Sequence, residues 1–487
     1  MRVLVSLALL SLVACAGTKP SQPPAAAVVS PQSPYTFKLG YPTASTIAKA
    51  YDDADLARAV QCYRFFYPTV SGAAILQGNR DIGAVPNRVF SAIDGQPRHM
   101  GFTLNSDTPY GFIGLDLSKG PMVVELPAGP LIGVAVDVNQ RWVGDMGLPG
   151  PDAGKGGKHL LLPPGYKGKV PRGYYTWSST TNLVTAGVRS LPVGGDVKAA
   201  LQRIFTVKVR PLTPAKGWKT PIWKDLTETP QNTTPLAYEE TLEYWQVLHG
   251  VLETEPPFEP YRSYYGELAA LGIEKGKPFQ PDARMKGILE RAALIGNGQM
   301  RVQSFADRRP DRVVWPDRKW EWVGLQPDSG DLEAPNYLDV AAREVWFYQA
   351  IGASPAMFRR KAGGGSVYWL GLRDGKGEYL DGGKSYKLTV PLPVPGKLFW
   401  SVTVYDADSR SQIATKQGKA ALRSLFEVKD AKGESVDLYF GPSAPSGQEG
   451  HWIQTLPRKG WFAYFRVYGP EAAAFDGKWK PGDFVQQ

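Results

Sequence analysis

Ser118-Lys119-Gly120-Pro121 ends one apolar run, Tyr110–Leu117, and opens another, Met122–Leu126. Two runs of strand-forming residues split by turn chemistry read as neighbouring β-strands. The same device recurs at Leu131–Val138 and Leu183–Val188. It recurs again at His159-Leu160-Leu161-Leu162, which stops at Pro163-Pro164-Gly165-Tyr166, so residues 85–212 read as all-β. It resumes with Val367–Leu372, Tyr386–Val390, Phe399–Tyr405, Val436–Phe440 and Trp461–Val467. Across the chain, 53 Gly and 42 Pro supply turns, and 14 Trp and 23 Tyr supply aromatic faces, while only 21% of residues are charged. That balance favours sandwiches or jelly rolls over a helical bundle. A length of 487 residues exceeds one ordinary core.

Helical periodicity fills the remainder. Ser45–Phe66 carries apolar residues at helical spacing, with Pro68 expected to close it. Glu239–Leu252, Tyr264–Leu271, Ala283–Ile295 and Leu338–Ile351 behave likewise. The expected class is mainly β with α: two β-sandwich, jelly-roll-like domains joined by a helical region. The boundaries are an N-terminal helical segment at 35–84, a sandwich at 85–237, a helical connection at 238–364 and a sandwich at 365–487. Gly363-Gly364-Gly365-Ser366 precedes Val and Tyr, not Lys and a helix, and reads as a linker.

The N-terminus carries an address. Arg2, the apolar run Val3–Leu10 and Leu12-Val13-Ala14-Cys15 have the layout of a secretory signal peptide, residues 1–14, that ends at a thiol. It resembles the lipobox of bacterial lipoproteins, which implies a lipid on Cys15 as the mature first residue. The run is too short to span a bilayer, which takes about 18–20 apolar residues. Residues 15–34, poor in charge and rich in Ala, Pro, Ser and Gln, read as a disordered tether. Ala16 stands where this class has Asp for inner-membrane retention. The resemblance therefore implies the outer membrane, with the globular part periplasmic or surface-exposed. Cys62 would then lack a disulfide partner and reads as a buried apolar residue. The formal charge is +10, or +9 once Arg2 leaves with the leader, and its basic residues are scattered. That argues against a nucleic-acid partner. The pattern implies no oligomeric state.

Several motifs resemble a known family. Asn105-Ser106-Asp107-Thr108-Pro109-Tyr110, Leu115-Asp116-Leu117-Ser118, Gly120-Pro121 and the Gly157–Tyr166 stretch resemble the domain of unknown function 1254. Leu380-Asp381-Gly382, Phe399–Asp406, Arg410, Gly460-Trp461-Phe462 and Trp479–Asp483 resemble its companion, the domain of unknown function 1214. Departures occur in the first domain, where Ser106 and Pro109 replace the usual Val and Leu. The resemblance implies two jelly-roll-like halves joined by helices, and no established reaction.

Two constellations offer chemistry. The first comprises Arg98, His99, Asn105, Asp107, Thr108, Tyr110 and Asp116. Asp107 with Asp116, His99 or Asp406 would supply an acid and a base; alternatively Asn105, Asp107 and Thr108 make an Asx-type turn. The second comprises Trp400, Tyr405, Asp406, Asp408 and Arg410. It would either stack and hydrogen-bond a ligand, or place Trp400 in the core with Asp406 and Arg410 clamping a turn. The four histidines are dispersed, so no metal site and no cofactor is expected. Asp374, Glu378 and Asp381 have loose calcium-like spacing without the EF-hand pattern. Two functions compete. One is a binder of a small polar or carbohydrate-like ligand between the sandwiches. The other is a hydrolase or lyase working on a carbohydrate-like or secondary-metabolite substrate.

Overall fold

The structure is a computed structural model that describes residues 33–229, 231–232 and 236–487. The leader 1–14, Cys15 and the tether up to residue 32 lie outside the described residues. By internal contacts the chain divides into residues 1–52 and residues 53–487. In the first unit, Phe37–Lys38 pairs antiparallel with Tyr41–Pro42 around a turn at Leu39 and Gly40. The Thr46 hydroxyl accepts the Thr36 N–H at 2.9 Å and ties this hairpin to the start of a helix.

That helix, α1 (Ala44–Asp81), runs through Pro68, where the sequence predicts a stop. An internal proline removes one N–H donor and costs about 3 kcal/mol. Tyr63, Phe66, Tyr67, Val70 and Ala74 lie on both sides of it and are buried. Burial of Phe66 and Val70 alone contributes about 1.5–3 kcal/mol each, so packing outweighs the lost bond. The Pro68 carbonyl also accepts the Gln140 side-chain amide at 2.9 Å.

The first β half comprises β1 (Val89–Ile93), β2 (Tyr110–Asp116), β3 (Met122–Leu126), β4 (Leu131–Asp137), β5 (Trp142–Gly147), β6 (Gly157–Leu162), β7 (Tyr175–Ser178), β8 (Leu183–Ser190), β9 (Lys208–Pro211) and β10 (Ile222–Asp225). They form a six-stranded sheet ordered β10-β1-β2-β8-β4-β5 and a four-stranded sheet ordered β7-β6-β3-β9. Alternation decides the faces: Val184, Ala186 and Val188 of β8 point inward with Ile113, Leu115, Leu131 and Ala135. Met122, Val124 and Leu161 of the smaller sheet complete the same core. A helix that the strand pattern hides, α2 (Val197–Phe205), covers one end, its N-terminus capped by the Asp196 carboxylate accepting the Ala199 N–H at 2.8 Å.

Between the β halves run α3 (Glu243–Thr254), α4 (Arg262–Ala270), α5 (Ala283–Phe305), α6 (Val340–Gln349) and the single turn α7 (Pro355–Phe358). With α1 they bury an aromatic core that includes Tyr63, Tyr244, Trp245 and Trp346. The periodicity of 238–351 is thus realised as helices.

The second β half comprises β11 (Trp320–Trp322), β12 (Ser366–Gly371), β13 (Tyr386–Pro391), β14 (Gly396–Asp406), β15 (Ala421–Arg423), β16 (Ser435–Gly441), β17 (Trp452–Gln454), β18 (Trp461–Pro470) and β19 (Val485–Gln486). A five-stranded sheet, β11-β12-β18-β14-β15, and a four-stranded sheet, β17-β16-β13-β19, share one core. β11 arises within the helical connection, yet it pairs antiparallel with β12. The five-stranded sheet is covered twice. Trp369, Val402 and Phe465 face the core it shares with the smaller sheet, while Tyr368, Tyr405, Phe462 and Tyr464 face the helices. The molecule is mainly β with α.

Candidate functional site

The loop before β2 is the junction of the first constellation. Asp107 N–H donates to Asn105 Oδ1 at 3.1 Å, the Asx turn that the sequence allows. Arg189, on β8, donates through Nε to Thr108 Oγ1 at 2.9 Å and through Nη2 to Asn105 Oδ1 at 3.1 Å and Tyr468 Oη at 2.9 Å. Its guanidinium lies 5.1 Å from the centre of the Tyr110 ring. Asn105, Thr108 and Tyr110 therefore meet at one arginine, together with Tyr468 from β18.

Asp107 points the other way, toward the five-stranded sheet. Its Oδ2 accepts the Ser401 hydroxyl at 2.8 Å. Ser401 is in register with Arg466 on one side and Arg423 on the other, so all three share the face turned from the core between the two sheets. Burial pushes the Asp107 carboxyl up, against the pull of Arg466, Arg423 and Arg189. Arg466 donates to the Thr103 carbonyl at 3.0 Å and lies 4.9 Å from the Tyr464 ring centre, 5.2 Å from Tyr368 and 5.5 Å from Tyr405. Tyr405 donates its hydroxyl to the Leu104 carbonyl at 2.8 Å.

Other expected residues are elsewhere. Asp116 ends β2, about 20 Å along the strand from Tyr110. There its carboxylate accepts the Ser118 N–H at 2.9 Å, and Asn87 brackets its backbone. Asp107 and Asp116 are not an acid–base pair. His99 is buried, its Nε2 3.3 Å from Asp94 Oδ1, and it does not line the cavity described below. Asp406 accepts the N–H groups of Asp408 and Ser409, each at 2.9 Å. Arg410 does not clamp it; the guanidinium ion-pairs with Glu239, donates to Tyr67 Oη at 3.1 Å and lies 4.3 Å from the Tyr348 ring centre. Burial drives this, because a guanidinium 2% exposed must be neutralised and Glu239 is the carboxylate beside it. Trp400 stacks on Phe465 inside the core shared by the two sheets and presents nothing to a ligand. Asp374 and Asp381 each accept N–H groups of their own turns.

A cavity of about 510 Å3 opens beside the arginines. One wall is the outer face of the six-stranded sheet, with Ile132, Val134, Val136 and Gly187. Opposite are Tyr368, Tyr464, Arg466 and Tyr468 of the five-stranded sheet, with Ile75 of α1 and Trp346 of α6 closing the sides. The supposed linker Gly363–Gly365 is part of the wall. A Cβ on Gly365, whose φ is +64°, would come within 1.8 Å of the Ala356 carbonyl oxygen, so a glycine is required there. Gly187 is the reverse case: a Cβ on it would meet no atom within 4 Å.

Two carboxyl groups line the same space. Asp137, at the end of β4, accepts the Thr180 hydroxyl and the Arg141 N–H at 3.0 Å. Asp145, on β5, accepts the Ser354 hydroxyl at 2.7 Å. Burial pushes each up to about 6, their hydrogen bonds pulling the other way.

Sequence comparison matches residues 90–211 to the protein of unknown function DUF1254 and residues 365–472 to the protein of unknown function DUF1214, in that order. The chain is a DUF1254–DUF1214 protein. No curated protein matches it. Among solved structures, a protein from Vibrio parahaemolyticus aligns with a TM-score of 0.57 at 17% identity, over 89% of this chain and 100% of its own. An uncharacterised protein from Burkholderia cenocepacia aligns at a TM-score of 0.38 and 13% identity, over 91% of this chain and 96% of its own. The Vibrio likeness is one of fold.

In the DUF1254–DUF1214 chain the cavity belongs to both matched segments. DUF1254 supplies Asn105, Asp137, Asp145 and Arg189, DUF1214 supplies Tyr368 and Arg466, and the stretch between them supplies Trp346 and Ser354. Sequence reasoning missed Asp137, Asp145 and Arg466 and gave Arg189 no role. Each carried a signal: a charged residue inside or ending an otherwise apolar strand, as in LIGVAVD, WVGDMG and WFAYFRVYGP. Such a residue cannot be solvated where its neighbours are buried and must find a partner or a cavity.

Proposed function

We propose that this DUF1254–DUF1214 protein is a lipid-tethered, extracytoplasmic binder of a small, largely apolar molecule. The observation that carries the reading is the open space over Gly187 in a cavity of about 510 Å3. Protein interiors are close-packed, and a ligand-sized void walled by strands and aliphatic side chains is the ordinary form of a small-molecule site. The mostly apolar wall offers the many hydroxyls of a carbohydrate few partners and favours an apolar body. The tether rests on the Cys15 motif.

Gly187→Phe tests it. The new ring projects into the chamber without backbone strain, so the full chain should lose most of its saturable uptake of the neutral dye N-phenyl-1-naphthylamine while its Tm holds or rises. Equal uptake by the variant would refute the reading. Asp137 and Asp145 favour a second one, a hydrolase or lyase that uses either carboxyl as a proton donor near neutral pH. Turnover lost in Asp145→Asn or Asp137→Asn, with dye uptake retained, would favour it.

A further inference from the structure

We infer that the ligand carries an anionic oxygen head, a carboxylate or its equivalent, seated against Arg466 and Arg189 at one end of the cavity. The inference rests on the cavity reading above and adds the chemistry of one end. Arg466 is 2% exposed, and its Nε and Nη1 have no hydrogen-bond partner among the described residues. Neighbouring buried arginines are answered: Arg410 by Glu239 and Arg423 by Glu427, the latter at 2.6 Å. Arg466 bonds only a carbonyl, and Arg189 bonds only neutral oxygens of Thr108, Asn105 and Tyr468. Among the described residues neither forms an ion pair. Asp107 faces them, but its Oδ2 is given to Ser401 and its Oδ1 has no partner. At this end two guanidinium groups meet at most one carboxylate, which leaves net positive charge there; Asp137 and Asp145 line the same cavity, but the charges acting on them are Arg141 and Asp331 for the first and Arg359 for the second. Burying such charge uncompensated is costly, and an anion arriving in the cavity would relieve it through charge-assisted hydrogen bonds.

The tyrosines fit the same occupant. Tyr368, Tyr405 and Tyr464 hold the Arg466 guanidinium by their ring faces. Those contacts position the cation without neutralising it. Away from the arginines, Val134, Val136 and Gly187 offer an aliphatic floor. The matching chemistry is an organic acid with a hydrocarbon body.

A displacement series on the full chain tests this, with N-phenyl-1-naphthylamine as reporter and lauric acid, dodecyl phosphate, dodecanol and dodecylamine as competitors. Lauric acid should displace the dye about tenfold more strongly than dodecanol, and dodecylamine least of all. Arg466→Gln should remove the preference and leave dodecanol within about twofold of wild type. Dodecyl phosphate matching lauric acid assigns the preference to anions in general; a clear lead for either acid assigns it to that head. Equal displacement by lauric acid and dodecanol from the wild-type chain overturns the inference and leaves the cavity reading standing. No saturable dye uptake, or uptake unaffected by Gly187→Phe, overturns the cavity reading and the inference with it. If Arg466→Gln does not fold, the wild-type acid-to-alcohol ratio decides alone.

Discussion

Arg410 finds its counter-charge 171 residues back along the chain, at Glu239, and not at Asp406 four residues away. Breaking a buried pair from one side strands a charge, at a cost of about 3–5 kcal/mol. Glu239→Gln should therefore lower the urea midpoint sharply. Asp116→Ala should cost about 1 kcal/mol, the value of a lost turn cap, and leave dye uptake unchanged. The cavity carboxyls give a pH signature. Asp137 and Asp145, ordinarily at 3.8, sit at about 6 in the fold. A carboxyl so raised binds its proton more tightly folded than unfolded. Its contribution to stability is full below about pH 3.8 and is lost as pH rises through about 6, on the order of 3 kcal/mol per group. Between about pH 4 and pH 7, thermal melts of the wild type should fall relative to the Asp137→Asn/Asp145→Asn double variant. Parallel curves would contradict this. At this scale the sequence was half legible. Asn105 was readable as a turn-maker because the Asp107 N–H that it accepts lies two residues on, whereas the Asp107 carboxylate bonds Ser401, 294 residues away. The partners of Arg189, Arg410 and Arg466 come from distant strands and leave no mark in spacing.

Helices and strands were more legible, since their periods are local. The long strands β2, β3, β4, β6, β8, β12, β13, β14, β16 and β18 fall where alternating or apolar runs end at turn residues, while β1, β5, β7, β9, β10, β11, β15, β17 and β19 lie outside the runs read as strands; α3, α5 and α6 follow helical spacing. α1 was cut short because a proline rule is local while the burial that overrides it is not. The α1–α5 contact yields a paired prediction. Gly296 and Gly298 lie two residues apart on α5, but a Cβ at Gly296 would come within 2.4 Å of the Tyr63 ring, and one at Gly298 would meet nothing within 4 Å. Gly298→Ala should stabilise by about 0.5–1 kcal/mol through helix propensity and a restricted unfolded chain. Gly296→Ala should destabilise by about 1–3 kcal/mol through overpacking. Chemical denaturation of the two variants should show opposite signs.

At the scale of the whole molecule, the order of the parts was readable: helix, β half, helices, β half. The cavity was not, because its wall draws on residues from Gly72 to Gly469. The address remains a proposal with a direct check: radiolabelled palmitate should enter the full-length chain and fail to enter Cys15→Ser. Label retained on the variant would remove the lipid anchor. The doubly covered five-stranded sheet bears on descent. Its outer face serves the helices and the cavity, and neither matched segment of this chain lines that cavity alone. A recombination event that parted them would transmit two sheets with an aromatic or aliphatic face bared to water.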